Sequence, residues 1–239
     1  MRWLALALGL LAAPALADVR YWAITGAELD QPTDRYDHAV LGDALEWAAL
    51  DITLSLQGCA GSCSELKVLQ IILPPRRVFE DVVARVIDVD GDHLPEVLVV
   101  ETDIRRGAML SVYGAEGQVI AQTKPLGQPH RWLAPAGVGD FDGDGRVEIA
   151  YVDRPHLARE LVFVRLQDRA LTEVARLPGL TNHRIGDDVI TGGVRDCGQG
   201  AEVVLASADW SRLMAANMRG SVDLGAYSDQ KMQKALACR

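Results

Sequence analysis

The residues with the most chemistry in them stand in two short acidic runs. Asp88-Val89-Asp90-Gly91-Asp92-His93-Leu94-Pro95-Glu96 and Asp140-Phe141-Asp142-Gly143-Asp144-Gly145-Arg146-Val147-Glu148 each place carboxylates at the first, third, fifth and ninth positions. Oxygens at that spacing suit a hard cation such as Ca²⁺, which takes roughly six to eight of them at about 2.3–2.6 Å. In the second run Asp140, Asp142 and Asp144 offer side-chain oxygens, the backbone carbonyl of Arg146 offers another, and Glu148 completes the cage. In the first run Asp88, Asp90, Asp92, the carbonyl of Leu94 and Glu96 take the same roles. Close carboxylates with no cation repel one another, so the repetition itself points to a bound ion.

The two runs are not expected to be equal. Gly143 and Gly145 turn with positive φ at no steric penalty. The first run has His93 where the second has Gly145, and Pro95 stiffens its exit. A non-glycine residue in that conformation is uncommon, so the Asp140 loop is expected to be well formed and the Asp88 loop weaker or looser. An EF-hand opens in the same way, but it needs a Glu at the twelfth position and a helix on each side. The twelfth residues are Val99 and Tyr151, within apolar runs that read as strands, which excludes it.

Each acidic run leads directly into a short apolar stretch, Val97-Leu98-Val99-Val100 in one case and Ile149-Ala150-Tyr151-Val152 in the other. The same unit recurs more faintly at Gly193-Val194-Arg195-Asp196 through Glu202-Val203-Val204-Leu205, which keeps the Glu but one loop aspartate only. A fourth and weakest copy runs from Gly42-Asp43 to Asp51-Ile52-Thr53-Leu54. Internal repeats of this length fix an architecture before any propensity does. Within the strong copies the pattern predicts strands at 83–87, 96–101, 108–113 and 118–123, and again at 137–140, 147–152, 160–166 and 171–176. Four short strands per unit is the pattern of a propeller blade. The expected fold is an all-β propeller of about four four-stranded antiparallel blades, with units near 36–80, 81–131, 132–182 and 183–227. A fifth, partial blade would arise if Tyr21–Thr25 paired with Ala215–Leu224 to close the ring. The tail at 228–239, with Met232 and Leu236 one turn apart, fits a short helix. A β-sandwich also has short, regularly spaced strands, but gives no reason for a loop-plus-strand unit to recur four times.

The run Gly139-Asp140-Phe141-Asp142-Gly143-Asp144-Gly145-Arg146-Val147-Glu148-Ile149 resembles the calcium loop of FG-GAP/VCBS repeats, the blades of integrin α-subunit-type propellers. Asp88 to Glu96 matches it apart from His93, and Tyr36-Asp37-His38-Ala39-Val40-Leu41-Gly42-Asp43 is similar to the lead-in strand with its acidic loop lost. The resemblance is strong from Ala84 to Val152. It implies one propeller domain over 18–239, Ca²⁺ in the first hairpin of a blade, and an extracellular recognition or adhesion role. Asp196 alone does not make a third site.

The chain opens Met1-Arg2-Trp3-Leu4-Ala5-Leu6-Ala7-Leu8-Gly9-Leu10-Leu11-Ala12-Ala13-Pro14-Ala15-Leu16-Ala17, a charge, a short apolar run and an Ala-x-Ala exit. This reads as a signal peptide over 1–17 cut before Asp18, and implies a periplasmic or secreted protein. The run is too short to cross a bilayer of about 30 Å, and no other stretch is longer. A net charge of -9 argues against nucleic acid, which binds clustered cations. Four cysteines in an exported chain are expected to be oxidised. Cys59 with Cys63 closes a Gly-rich turn and leaves Cys197 for Cys238, although other pairings stay open on the sequence alone.

Signatures of metalloproteases, nucleophile elbows and dinucleotide sites are missing, and His38, His130, His156 and His183 lack zinc-ligand spacing. The expected function is therefore a non-enzymatic, Ca²⁺-binding module that recognises an extracytoplasmic protein or glycan. The alternative is a small polysaccharide-active lyase or hydrolase. A deep pocket with convergent polar groups around His130, Arg131 and Trp132 would favour the enzyme, and a flat face the binder.

Overall fold

The computed structural model describes residues 19–42, 45–59 and 61–239. The leader read at 1–17 and Asp43 lie outside them. The described residues form three antiparallel sheets and one short helix. In the first unit β1 (Tyr21–Thr33) pairs along its length with β2 (Glu46–Gln57), and β3 (Leu66–Ile72) lies on the other edge of β2. β4 (Arg77–Phe79) and β5 (Arg85–Ile87) share one edge of β6 (Glu96–Asp103), followed by β7 (Gly107–Tyr113) and β8 (Val119–Gln122). Phe79 of β4 also pairs with Trp47 of β2, which joins the first two units into one eight-stranded sheet.

The third unit is a regular four-stranded meander of β9 (Leu133–Gly139), β10 (Glu148–Asp153), β11 (Glu160–Gln167) and β12 (Ala170–Pro178). In the fourth, β13 (Leu180–Thr181) and β14 (Gly193–Asp196) share an edge of β15 (Ala201–Ser207), and β16 (Arg212–Asn217) and β17 (Gly220–Ala226) follow. The first strand of a unit is thus continuous as β9 but split in the second and fourth units. The inserted residues there include the buried polar groups Glu80, Asp81, Asn182 and His183.

Successive side chains of a strand point to opposite faces, and here both faces are covered. Leu98 and Val100 pack towards Ile149, Tyr151, Val162 and Val164 of the third unit. Val97 and Val99 pack the other way, against Leu50, Ile52 and Leu54 of the first. Ala150, Val152, Leu161 and Phe163 repeat the device against Val203, Leu205 and Ala216 of the fourth. Each Val, Leu, Ile or Phe among them, fully buried, contributes about 1.5–3 kcal/mol. β6 and β10 are consequently buried at every position, which explains why their sequences are continuous apolar runs rather than alternating ones.

The stack of units does not close into a ring. Among the described residues β1 pairs with β2 only, and 215–224 forms the β16–β17 hairpin inside the fourth unit instead of meeting the N-terminal strand. The turn at Met218-Arg219, with Gly220 at φ 147°, folds that stretch back on itself, so the expected ring closure is corrected. α1 (Asp229–Leu236) covers the outer face of the fourth unit instead, with Met232 and Ala235 buried against Val204 and Leu213. Ser228 caps it by accepting the Lys231 amide. Disulfides join Cys59 to Cys63 and Cys197 to Cys238. Among the described residues no helix is long and apolar enough to cross a membrane.

Candidate functional site

The two acidic runs form the β5–β6 and β9–β10 connections, and they share most of their hydrogen bonds, differing in that Asp88 also accepts the Asp90 amide whereas Asp140 also accepts the Asp144 amide. Asp88 accepts the amides of Gly91 (2.6 Å) and His93 (2.9 Å), as Asp140 accepts those of Gly143 (2.7 Å) and Gly145 (2.9 Å). Asp90 accepts the Asp92 amide and Asp142 the Asp144 amide. Asp92 takes the amide of Leu94, and Asp144 that of Arg146. Glu96 heads β6 and reaches back to the Val89 amide at 3.0 Å, and Glu148 heads β10 and reaches the Phe141 amide at 2.9 Å. His93 holds φ 71° where Gly145 holds φ 83°. Its left-handed backbone costs roughly 1–2 kcal/mol, yet its amide reaches the first aspartate of the loop as that of Gly145 does.

In each loop three carboxylates come together. One oxygen each from Asp88, Asp90 and Glu96, and likewise from Asp140, Asp142 and Glu148, lie within 4.8 Å of one another. Asp92 and Asp144, included among the ligands on spacing, stand outside these triplets, and the Leu94 and Arg146 residues sit at the loop exits.

The loops differ in their cations. Arg165, near the end of β11 and 6% exposed, enters the Asp140 loop. Its Nε donates to Glu148 Oε1 at 2.6 Å, and its Nη2 bonds the same oxygen while lying 3.2 Å from both Asp142 Oδ2 and Asp144 Oδ2. Arg146 forms a second pair with Asp144 at 2.6 Å, and its side-chain and backbone donors hold that carboxyl at about 2. Arg219 donates to the Asp142 carbonyl. Strand register explains the contrast with the other loop. Val164 stands opposite Ile149, which brings Arg165 beside Glu148, whereas Tyr113 stands opposite Val97, so the corresponding residue is Gly114.

Among the described residues no Arg or Lys pairs with the Asp88 loop. His93 Nδ1 lies 4.0 Å from Asp88 on a side chain 96% exposed. Burial first, then the charges of Asp90, Asp92 and Asp88, push Glu96 up to about 7. Burial would also raise Asp88, but the amides of Gly91, His93 and Asp90 hold it below the ordinary range. The Asp88 loop therefore carries oxygens at cation-binding separation and negative charge with no internal counter-charge. It fits a bound divalent ion.

The degenerate fourth-unit copy has a shorter loop. Asp196 accepts the amides of Gly198 and Gly200, while Glu202 pairs with Arg195 at 3.0 Å. Cys197, next to Asp196, carries the disulfide to Cys238. A covalent link thus stands where the other loops gather carboxylates.

At the opposite strand ends the structure assembles a cluster that sequence spacing did not show. His38 and His130 lie 5.1 Å apart between ring centres, and His156 and His183 also 5.1 Å, with Trp132 5.0 Å from His183. Buried Glu80 bonds His38 Nδ1 and accepts the Thr102 hydroxyl, and Asp37 bonds His130 at 3.0 Å. The carbonyl of Asp187 requires a proton on His183 Nε2, so His183 Nδ1 accepts from His156 Nε2 at 2.9 Å. Burial, then His183, lowers His156 to about 4 and keeps it neutral. The local run His130-Arg131-Trp132 is the sequence's pointer to this place, but the four histidines come from four different connections, so no local spacing announces that they meet. Polar side chains converge here, but the pocket beside His130, Arg131 and Trp132 measures about 30 Å³, well below the roughly 300–1,000 Å³ of ligand clefts.

No curated protein sequence matches the chain. The family model of the FG-GAP-like repeat matches residues 88–151, a span that opens on the first acidic loop and ends in the strand after the second. Over that span the chain carries a match to an FG-GAP-like repeat.

Proposed function

We propose that the chain is an exported recognition module braced by Ca²⁺ at the Asp88 loop, binding a protein or glycan outside the cytoplasm without catalysis. The observation that carries this reading is the uncompensated charge of Asp88, Asp90 and Glu96 inside an FG-GAP-like match. Carboxylate oxygens of those three residues would hold the ion, with Asp92 and the Leu94 carbonyl at hand to complete its shell. A bound Ca²⁺ would supply the missing positive charge and fix the β5–β6 connection. The two disulfides accord with an oxidising compartment, as does the leader read at 1–17. The signal read at Ala17–Asp18 is checked by sequencing the N-terminus of the exported protein.

A ligand that binds only the folded state stabilises it by mass action. The test is therefore thermal melting of residues 18–239 in millimolar Ca²⁺ and in chelator. A higher melting temperature in Ca²⁺, lost in Asp90→Asn, supports the reading, and identical curves overturn it. The enzymatic alternative has one observation in its favour, the buried Glu80 carboxylate orienting His38. The pocket beside it measures about 30 Å³, against roughly 300–1,000 Å³ for ligand clefts.

A further inference from the structure

The acidic loops share one scaffold and differ in what stands among their oxygens. We infer that the Arg165 guanidinium is the resident cation of the Asp140 loop and keeps Ca²⁺ out of it, so that the chain takes up calcium at the Asp88 loop alone. This builds on the calcium reading for the Asp88 loop, but its own ground is the position of Arg165.

The guanidinium is permanently charged and presents a rigid fork of donors that matches carboxylates. β11 delivers it beside Glu148, where it bonds that residue and lies 3.2 Å from Asp142 and Asp144. A Ca²⁺ ion in the loop would need the oxygens of Asp142 and Glu148 that Arg165 already engages. At ligand distance from them it would stand a few ångströms from a fixed positive charge, and Arg165 and Glu148 are themselves buried, where such repulsion is screened less than at the more exposed aspartates. Expelling the guanidinium would leave a buried charge without its partner, which is strongly unfavourable. Arg146 and Arg219 draw Asp144 and the Asp142 carbonyl further into protein contacts. The loop whose sequence is the better calcium motif is thereby closed by a residue outside the motif, and the loop with His93 is the open one. Gly114, at the register position of Arg165, leaves the Asp88 loop free of any such tether.

Isothermal titration of residues 18–239 with CaCl₂ tests this on the wild type, Asp90→Asn, Asp142→Asn and Arg165→Met. The expected result is one ion in the wild type, none in Asp90→Asn, one in Asp142→Asn and two in Arg165→Met. Melting adds a second readout: Arg165→Met loses stability in chelator and recovers it in Ca²⁺, which a purely structural arginine would not do. Two ions in the wild type, or loss of an ion in Asp142→Asn, overturns the inference and leaves the calcium reading standing. No ion in the wild type overturns the calcium reading, and Arg165→Met then decides the inference. An ion gained there and lost again in Arg165→Met/Asp142→Asn upholds it, and no gain overturns it. Arg165→Lys, which retains a charge and is the milder change for folding, is expected to gain no ion. A second ion in that variant also counts against the inference.

Discussion

Glu96 and Glu148 hold the same position in two repeats, and replacing each with Gln in chelator is expected to shift stability in opposite directions. Burial and three neighbouring aspartates raise Glu96 from 4.5 to about 7 in the folded chain. Between those values the folded state keeps a proton that the unfolded state releases, so ion-free stability falls as pH rises through the window. By pH 8 the ionised carboxylate costs about 3 kcal/mol at most, and roughly half that once solvent screening of the exposed aspartates is allowed. Glu96→Gln removes this cost and keeps an oxygen for the Val89 amide. It should stabilise the ion-free chain by about 1–3 kcal/mol. Glu148→Gln breaks the buried pair with Arg165 and should destabilise it by about 3–5 kcal/mol. Urea unfolding at pH 8 with chelator, followed by tryptophan fluorescence, measures both. In Ca²⁺ the Glu96→Gln gain should vanish, because a ligand is lost. Destabilisation of the ion-free chain by Glu96→Gln, or shifts of the same sign in both variants, would refute the charge argument.

The Cys197–Cys238 bond closes a sequence separation of 41 and Cys59–Cys63 one of 4. Chain-entropy reasoning gives about 4 and about 2 kcal/mol for them, so in urea unfolding the paired Ser variants should rank in that order. Asp103 is fully buried, and although burial opposes it, Arg76 and the Arg105 amide lower it to about 2. Its share of stability is complete above 3.8 and lost as pH falls through about 2. The Asp103→Asn variant should flatten the acid limb of the stability curve by about 2 kcal/mol. Met232→Ala, at the buried contact of α1, should cost about 2–5 kcal/mol and raise hydrogen exchange in α1 before the sheets.

The part of the fold visible in the sequence is the part built from local repetition. Strands β5 to β12 follow from short apolar runs of Val, Ile and Leu broken by Gly and Asp, and the acidic loops follow from carboxylate spacing. Both are encoded within a few residues of where they act. The properties missed all arise between strands or units rather than along one stretch of chain. Arg165 reaches Glu148 only because β11 pairs with β10 in one register, and nothing near Arg165 in the chain announces an acidic neighbour. His38, His130, His156 and His183 meet because the interrupted first strands and their connections share one end of the sheets. Ring closure was inferred from two apolar ends that satisfy their hydrogen bonds inside their own units. The helix at 229–236 was legible because Met232 and Leu236 share a face and Ser228 is a capping residue.

The most direct measurement is a crystal structure of residues 18–239 grown in millimolar Ca²⁺, with anomalous scattering used to locate calcium. An anomalous peak between Asp88, Asp90 and Glu96, with Arg165 still bonded to Glu148 and no peak in the Asp140 loop, is the predicted result. An empty Asp88 loop at saturating Ca²⁺ would contradict the proposal that calcium braces this chain.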